Sequence, residues 1–402
     1  MIDDILTINE CGTAAVAMNA TVNMFIETKK LKLKQSKCAA VHVGKKSKSC
    51  PNLKIHGEKM HREEKVKYLG DIVHQSGKTK ENTKAREMKA HSIVAEIRAI
   101  LSDIPLGKYR TEVGLQLRQA MFVNGVLFNS EVWQEATATE VASLEKIDNK
   151  LLRAICKAHA KTPVEFLYLE TGCLPLRFVM QSRRVMYLHH ILSRENKELI
   201  HRIYAAQKEN PTQGDFADQV KEDLTVLEMT EDSIATLTKG ALKTLMKEKV
   251  NAEAEKFLKK LQVSHKKVNL IHYKELKIQQ YMVDKRMTNS MVEVLVAARS
   301  SMVRGIRQNF ASLSQRTQCP LLCKDTARDT QQHLLECPVL LAALTIKEEE
   351  QRDAVRYDDI FGGVEMQLRI TPVLMRLLEI REELIEARPT SGLKCWTQST
   401  LF

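Results

Sequence analysis

Apolar residues recur at helical spacing along most of this chain. From Thr79 an apolar stripe predicts a long helix that ends near Pro105 and Gly107, since both residues interrupt helices. The stripe consists of Ile93, Val94, Ile97, Ile100 and Leu101. A second stripe predicts a helix over 137–156. The pattern therefore predicts a mainly α fold for the greater part of the chain.

The first 78 residues have a different pattern, in which short apolar runs stand between turn residues. We expect short strands in "DDILTI", "CAAVHVGKK" and "LKIHGEKM", and one further strand in "VKYLGDIV" that ends at a turn marked by Gly77. A helix is expected between the first two, in "TAAVAMNATVNMFIETKK". This stretch predicts a small α/β region.

Changes of pattern divide the chain into five predicted segments. Pro211 and Gly214 indicate a linker, and the last helix is predicted to open at Thr371 and Pro372 because proline suits the first helical position. The tail after Pro389 is predicted to be disordered. The segments are the α/β region 1–78, a helical region 79–207, a basic helical region 208–310, a Cys/His module 311–345, and a final helix with its tail, 346–402.

The net charge of +12 is concentrated in two stretches. Residues 28–67 carry 13 basic against three acidic side chains, and residues 239–308 carry 16 against six. Such runs are common on solvated helix faces, but two of them in one chain favour a polyanionic partner such as nucleic acid. No apolar run is long enough to span a membrane and no secretory signal opens the chain. Together with nine cysteines, which we interpret as reduced thiols, this predicts an intracellular protein of the nucleus or cytoplasm.

Four candidate metal ligands lie in "CPLLCKDTARDTQQHLLEC". Cys319 and Cys323 form a C-x3-C pair, and His333 and Cys337, four residues apart, are expected on one side of a helix. Three thiolates and one imidazole can close a tetrahedral zinc site, which leaves no position for catalysis. We therefore predict a structural zinc site, and buried thiols without metal are the alternative.

Two adjacent carboxylates, Asp3 and Asp4, stand next to the beginning of the sequence. Carboxylate oxygens suit Mg²⁺, and adjacent strand residues point to opposite faces, so a third carboxylate would have to complete a site. By composition alone the pair is an acidic terminus.

Several stretches in collinear order resemble non-LTR (LINE-type) retrotransposon reverse transcriptases. "MIDDIL" resembles their third palm motif, "KKLKLKQSKC" the motif that follows it, and "YLGDIV" the primer-grip element. "GVLFNSEVWQ", "LEKIDNKLLRAI", "TPVEFLYLETGCLPL" and "RRVMYLHHIL" are similar to the region after the palm, and the Cys/His cluster is similar to the one these proteins carry near their C-terminus. The resemblance covers most of the chain.

This resemblance implies a polymerase palm remnant, a thumb-like helical region and a zinc-knuckle-like module. It implies that Asp3 and Asp4 belong to a catalytic Mg²⁺ site, that Lys34 or Lys37 lies near the nucleotide phosphates, and that Leu69 and Gly70 help to place the primer end. Basic residues of the helical region would contact an RNA and DNA template–primer.

The first palm motif, which supplies another essential Asp in this family, is absent from the sequence. We therefore expect the isolated chain not to polymerise, since a metal site that lacks one carboxylate loses nearly all activity. Three functions stay open: a C-terminal reverse-transcriptase fragment, a zinc-stabilised helical nucleic-acid binder without catalysis, and a helical protein-interaction scaffold.

Overall fold

A computed structural model of the protein describes residues 5–9, 11–31, 34, 37–43, 51–55, 57–104, 110–133, 138–264, 273, 275–303, 306, 318–323 and 329–387. The fold is mainly helical, as predicted. The α-helices are α1 (Gly12–Thr28), α2 (Lys80–Asp103), α3 (Arg110–Leu117), α4 (Asn124–Val126), α5 (Ala138–Cys156), α6 (Val164–Thr171), α7 (Leu176–Leu192), α8 (Leu199–Glu209), α9 (Phe216–Leu227), α10 (Glu231–Ala235), α11 (Lys239–Ser264), α12 (Asn289–Arg299), α13 (Pro338–Leu341), α14 (Ile346–Asp353) and α15 (Val364–Glu386). A π-helical turn, Arg118–Val123, joins α3 to α4.

Short strands are confined to the first 78 residues within the described part of the chain. They are β1 (Ala39–Ala40), β2 (Lys54–Ile55), β3 (Glu58–Lys59), β4 (His61–Arg62), β5 (Lys65–Tyr68) and β6 (Asp71–His74). They form three two-stranded sheets: β1 pairs with β4 in parallel, and β2 with β3 and β5 with β6 antiparallel. Such small sheets depend on packing against helices for their stability.

Two strand predictions were wrong. In "DDILTI", residues 5–8 have no strand structure, since no described strand pairs with them. "VKYLGDIV" is not one strand but the β5–β6 hairpin, in which Tyr68 pairs with Asp71. Leu69 (φ 44°) and Gly70 (φ 90°) both have positive φ angles, as the central residues of a type I′ hairpin turn do.

Helix α1 contacts the β2–β3 hairpin through one face. The side-chain amides of Asn19 and Asn23 donate hydrogen bonds to the carbonyl oxygen of Lys54, at 2.7 and 2.8 Å. Ile26, one turn further along, is the fully buried side chain of this helix. Two hydrogen bonds to the hairpin and one buried apolar side chain thus orient α1.

The chain divides into two compact units. The first comprises Met1–Ala90, Val126–Leu144 and Met180–Leu242. Its aromatic contacts include the edge-to-face pairs that Phe216 forms with Tyr187 and Tyr204. A bidentate ion pair between Arg184 and Asp223, at 2.6 and 2.9 Å, ties α7 to α9 within this unit.

The second unit comprises His91–Gly125, Glu145–Val179 and Lys243–Phe402. Its interior holds an ion pair between Glu170 at the end of α6 and Arg299 at the end of α12, with 0% and 3% of the side chains exposed. Glu170 also accepts hydrogen bonds from the hydroxyls of Tyr273 and Tyr281. Burial is the main cause, and the charge of Glu170 the second, of a pKa well above the usual value for both tyrosines. Both hydroxyls therefore stay protonated and remain hydrogen-bond donors.

The last helix begins earlier than predicted. Helix α15 starts at Val364, so Thr371 and Pro372 lie inside it and do not open it. Proline removes one helical N–H, but the burial of Ile370, Leu374 and Leu377 inside the second unit stabilises the helix on both sides of Pro372. The side chain of Thr371 donates a hydrogen bond to the carbonyl of Gln367 in the preceding turn.

Among the described residues, no helix is both long enough and apolar enough to cross a membrane. The predicted tail after Pro389 lies outside the described residues. The division into five segments stays a prediction.

Candidate metal centre

The first half of the Cys/His cluster is a tight turn. The backbone N–H of Leu322 donates to the carbonyl of Cys319 at 3.0 Å, which closes the turn before Cys323. Leu322 has a φ of 51° and exposes 72% of its side chain. The residue that makes this spacing C-x3-C is therefore accommodated by a left-handed turn that directs its side chain outwards.

The spacing of His333 and Cys337 predicted that both lie on one helix. This prediction was wrong, because the second half of the cluster is not a continuous helix. His333 belongs to a 3-10 turn, Gln332–Leu335, and its N–H is capped by the hydroxyl of Thr330 at 3.0 Å. Cys337 is extended and precedes α13 as its N-cap. Pro338 explains the break, because the residue before a proline is disfavoured in the helical conformation.

The four side chains nevertheless converge. Their ligand atoms all lie within 4.8 Å of one another. The Sγ atoms of Cys319 and Cys337 are 4.0 Å apart, and Sγ of Cys323 is 3.2 Å from Nε2 of His333. A zinc tetrahedron with ordinary Zn–S and Zn–N bonds has edges of about 3.5–3.8 Å, which these separations bracket. The donor set therefore fits a four-coordinate zinc ion.

The cluster is placed at the edge of the interior, since Cys319 and Cys337 are buried while Cys323 and His333 are partly exposed. Burial, followed by the hydrogen bonds and charges of the other two cysteines, raises the pKa of Cys323 to about 12. Three crowded thiols resist ionisation together, because each new thiolate repels the next. A divalent cation held by the four side chains would supply the positive charge that permits all three thiols to deprotonate.

The turn at Leu322 gives a direct test of the first half. Leu322→Pro should weaken zinc binding by about tenfold or more, because proline cannot adopt φ 51° and has no N–H for the carbonyl of Cys319. Leu322→Gly should bind zinc as the wild type does, since glycine adopts left-handed conformations without strain. Zinc affinities measured by chelator competition decide this. Equal affinities for the two variants would show that the turn does not hold Cys323 in place.

Side chains distant in sequence hold the second half, and sequence reasoning missed all of them. The carboxylate of Asp329 forms a bidentate ion pair with Arg381 of α15. The side chain of Gln331 bonds to α12, and the guanidinium of Arg352 donates to the carbonyl of Leu335 at 2.8 Å. No local sequence pattern marks these side chains, because each of them bonds to a partner on another element.

The other predicted site residues fall into separate groups. Asp3 and Asp4 lie outside the described residues. Lys34 and Lys37 are exposed and share one turn, in which the N–H of Lys37 donates to the carbonyl of Lys34 at 2.9 Å. Among the described residues, no hydrogen bond or ion pair joins this turn to Leu69 or Gly70.

Leu69 and Gly70 form the tip of the β5–β6 hairpin, with 60% of Leu69 exposed. Arg86 of α2 fixes the tip by two hydrogen bonds. Its guanidinium donates to the carbonyl of Gly70 at 3.0 Å and to the carboxylate of Asp71 at 2.6 Å. The amide of Asn129 also donates to Asp71, at 2.7 Å. The hairpin tip is thus a fixed, exposed feature, and nothing in the local sequence indicated its supports.

Comparison of the chain with models of known protein families, with curated proteins and with solved structures finds no match.

Proposed function

We propose that this protein is a zinc-stabilised nucleic-acid-binding chain and that it corresponds to the C-terminal part of a non-LTR retrotransposon reverse transcriptase. The observation that carries the proposal is the convergence of Cys319, Cys323, His333 and Cys337 in one cluster of tetrahedral size. The zinc is structural, because all four positions are taken by side chains.

A row of lysines on α11 supports a polyanionic partner. Lys239, Lys243 and Lys247 are all exposed and stand four residues apart, so they share one face of the helix. The buried residues of the helix form a neighbouring row, which consists of Leu242, Met246, Val250, Ala254 and Leu258. A row of ammonium groups on a helix that is anchored by a neighbouring row of buried side chains can follow a phosphate backbone without reading its sequence.

The hairpin tip supports the reverse-transcriptase part of the proposal. The resemblance assigns Leu69 and Gly70 to primer placement, and a residue with that role must be exposed and fixed in position. Leu69 is exposed, and Arg86 binds the backbone directly beneath it. Catalysis would additionally need Mg²⁺ at Asp3 and Asp4 and the first palm motif, so the binding of template and primer is the activity proposed for this chain alone.

Replacing the lysine row with glutamine tests nucleic-acid binding. The Lys239→Gln, Lys243→Gln, Lys247→Gln triple variant should lower the steepness with which affinity falls with salt by about 2 to 3 in the double-logarithmic plot. Filter binding of a duplex and of a single strand across a range of salt concentrations provides the measurement.

A second triple variant serves as the matched control. Lys197, Lys208 and Lys277 are also exposed, but each pairs with an acidic side chain. Changing these three to glutamine removes the same net charge and should leave the salt dependence nearly unchanged. Equal effects of the two triples would show that only net charge matters. Salt-independent binding by the wild type would favour the protein-interaction scaffold.

A further inference from the structure

Asp329 and Arg381 form one of the most buried ion pairs in the second unit. Both carboxylate oxygens accept hydrogen bonds from the guanidinium, at 2.8 and 2.9 Å, and the side chains are 0% and 3% exposed. Bidentate pairs of this kind fix geometry as well as charge. Asp329 is four residues before His333. The pair therefore anchors to α15 the start of the segment that contains His333 and Cys337, two of the four ligands.

A second anchor follows within the same segment. The side-chain amide nitrogen of Gln331 donates to the carbonyl of Ala298 in α12, at 3.0 Å, and to the hydroxyl of Tyr357, at 2.8 Å. Helix α15 itself packs against α12 and against the 3-10 turns Tyr357–Phe361 and Gln332–Leu335. The ligand-bearing segment and the C-terminal helix are therefore parts of one packed cluster.

The ligand-bearing segment and α15 stabilise each other. If the segment moved away from α15, the guanidinium of Arg381 would be left buried without its counter-charge, which is strongly unfavourable. Conversely, unpacking α15 would remove the partner that holds Asp329 and with it the path of the chain to His333. A metal ion that binds only when the four ligands are assembled therefore also stabilises the packing of α15, on which that assembly depends.

We propose that zinc binding and the packing of α15 form one cooperative unit, in which Arg381 is a positioning residue for the His333–Cys337 half of the metal site. The inference rests on the zinc site proposed above. Zinc binding then stabilises contacts of Arg381, which lies more than forty residues after the last ligand, Cys337. The packing of α15 therefore depends on the zinc supply.

Two glutamine variants on the same helix test the positioning role. Arg381→Gln should keep one zinc per chain but weaken its affinity by about 10- to 100-fold, as loss of a residue that orients metal ligands does. Arg376→Gln is the matched control, because Arg376 also lies on α15 and pairs with Glu348 but is 39% exposed. It should bind zinc within about threefold of the wild type. The affinities are measured with a chromophoric chelator at fixed pH and salt.

Hydrogen exchange on the wild-type chain provides a second test that does not depend on the folding of a variant. Removal of zinc by a chelator should speed amide exchange across Val364–Glu386, while helix α9 in the first unit exchanges as before. Unchanged protection of α15 without zinc, or equal affinities of the two variants, would overturn this inference alone. A folded wild-type chain that binds no zinc would overturn both the inference and the proposed zinc site.

Discussion

Replacing Cys337 with alanine is expected to remove most of the zinc that the wild type retains through dialysis against a competing chelator. Structural zinc sites contribute about 10–16 kcal/mol of binding free energy in small peptides, so the loss of one ligand of four should weaken affinity on the order of a hundredfold or more. Cys337 is fully buried, and its sulfur lies 4.0 Å from that of Cys319. The zinc content per chain after this dialysis is measured by mass spectrometry of the metal and compared with that of the wild type.

Two other cysteines provide controls for the loss of a thiol as such. Cys38 and Cys173 are partly exposed and lie outside the cluster. Cys38→Ala and Cys173→Ala should each retain one zinc per chain. Full zinc retention by Cys337→Ala, or equal losses in all three variants, would contradict the assignment of the four ligands.

Glu170→Gln is expected to destabilise the second unit by about 3–5 kcal/mol, because it leaves the Arg299 guanidinium buried without a counter-charge. Nε of Arg299 lies 2.6 Å from the carboxylate, and the cation sits 5.0–5.2 Å from the ring centres of Tyr273, Tyr281 and Phe361. The aromatic rings attract the cation but cannot replace a carboxylate. Urea unfolding followed by far-ultraviolet circular dichroism measures the effect.

Glu293→Gln is the matched control for this substitution. Glu293 lies in the same unit and pairs with Lys157, but 40% of its side chain is exposed, so its removal should cost at most about 1 kcal/mol. If both variants unfold at the same urea concentration, the buried pair does not stabilise the unit as its geometry indicates.

The features that the sequence predicted well are those whose cause is local. A turn and a short following segment bring Cys319, Cys323, His333 and Cys337 together, so their convergence could be predicted from their spacing. The long helix from Thr79 was confirmed as α2; Ile93, Val94, Ile97 and Leu101 of its predicted stripe are buried, whereas Ile100 is 40% exposed. Periodicity reports this kind of structure directly.

The features that were missed depend on contacts distant in sequence or on ambiguous signals. Arg381 stands 52 residues from Asp329, and buried charge pairs leave no local pattern. Pro372 indicated a helix start but lies within α15, because packing on both sides outweighs one lost hydrogen bond. The hairpin turn was hidden because leucine, here Leu69, rarely takes the left-handed conformation that asparagine or glycine usually supplies.

The zinc content of the purified 402-residue chain tests the central claim most directly. We predict one zinc per chain, retained through dialysis and released by a strong chelator together with a loss of ordered structure around Cys319–Cys337. A chain that is folded, zinc-free and unchanged by added zinc or chelator would contradict the account.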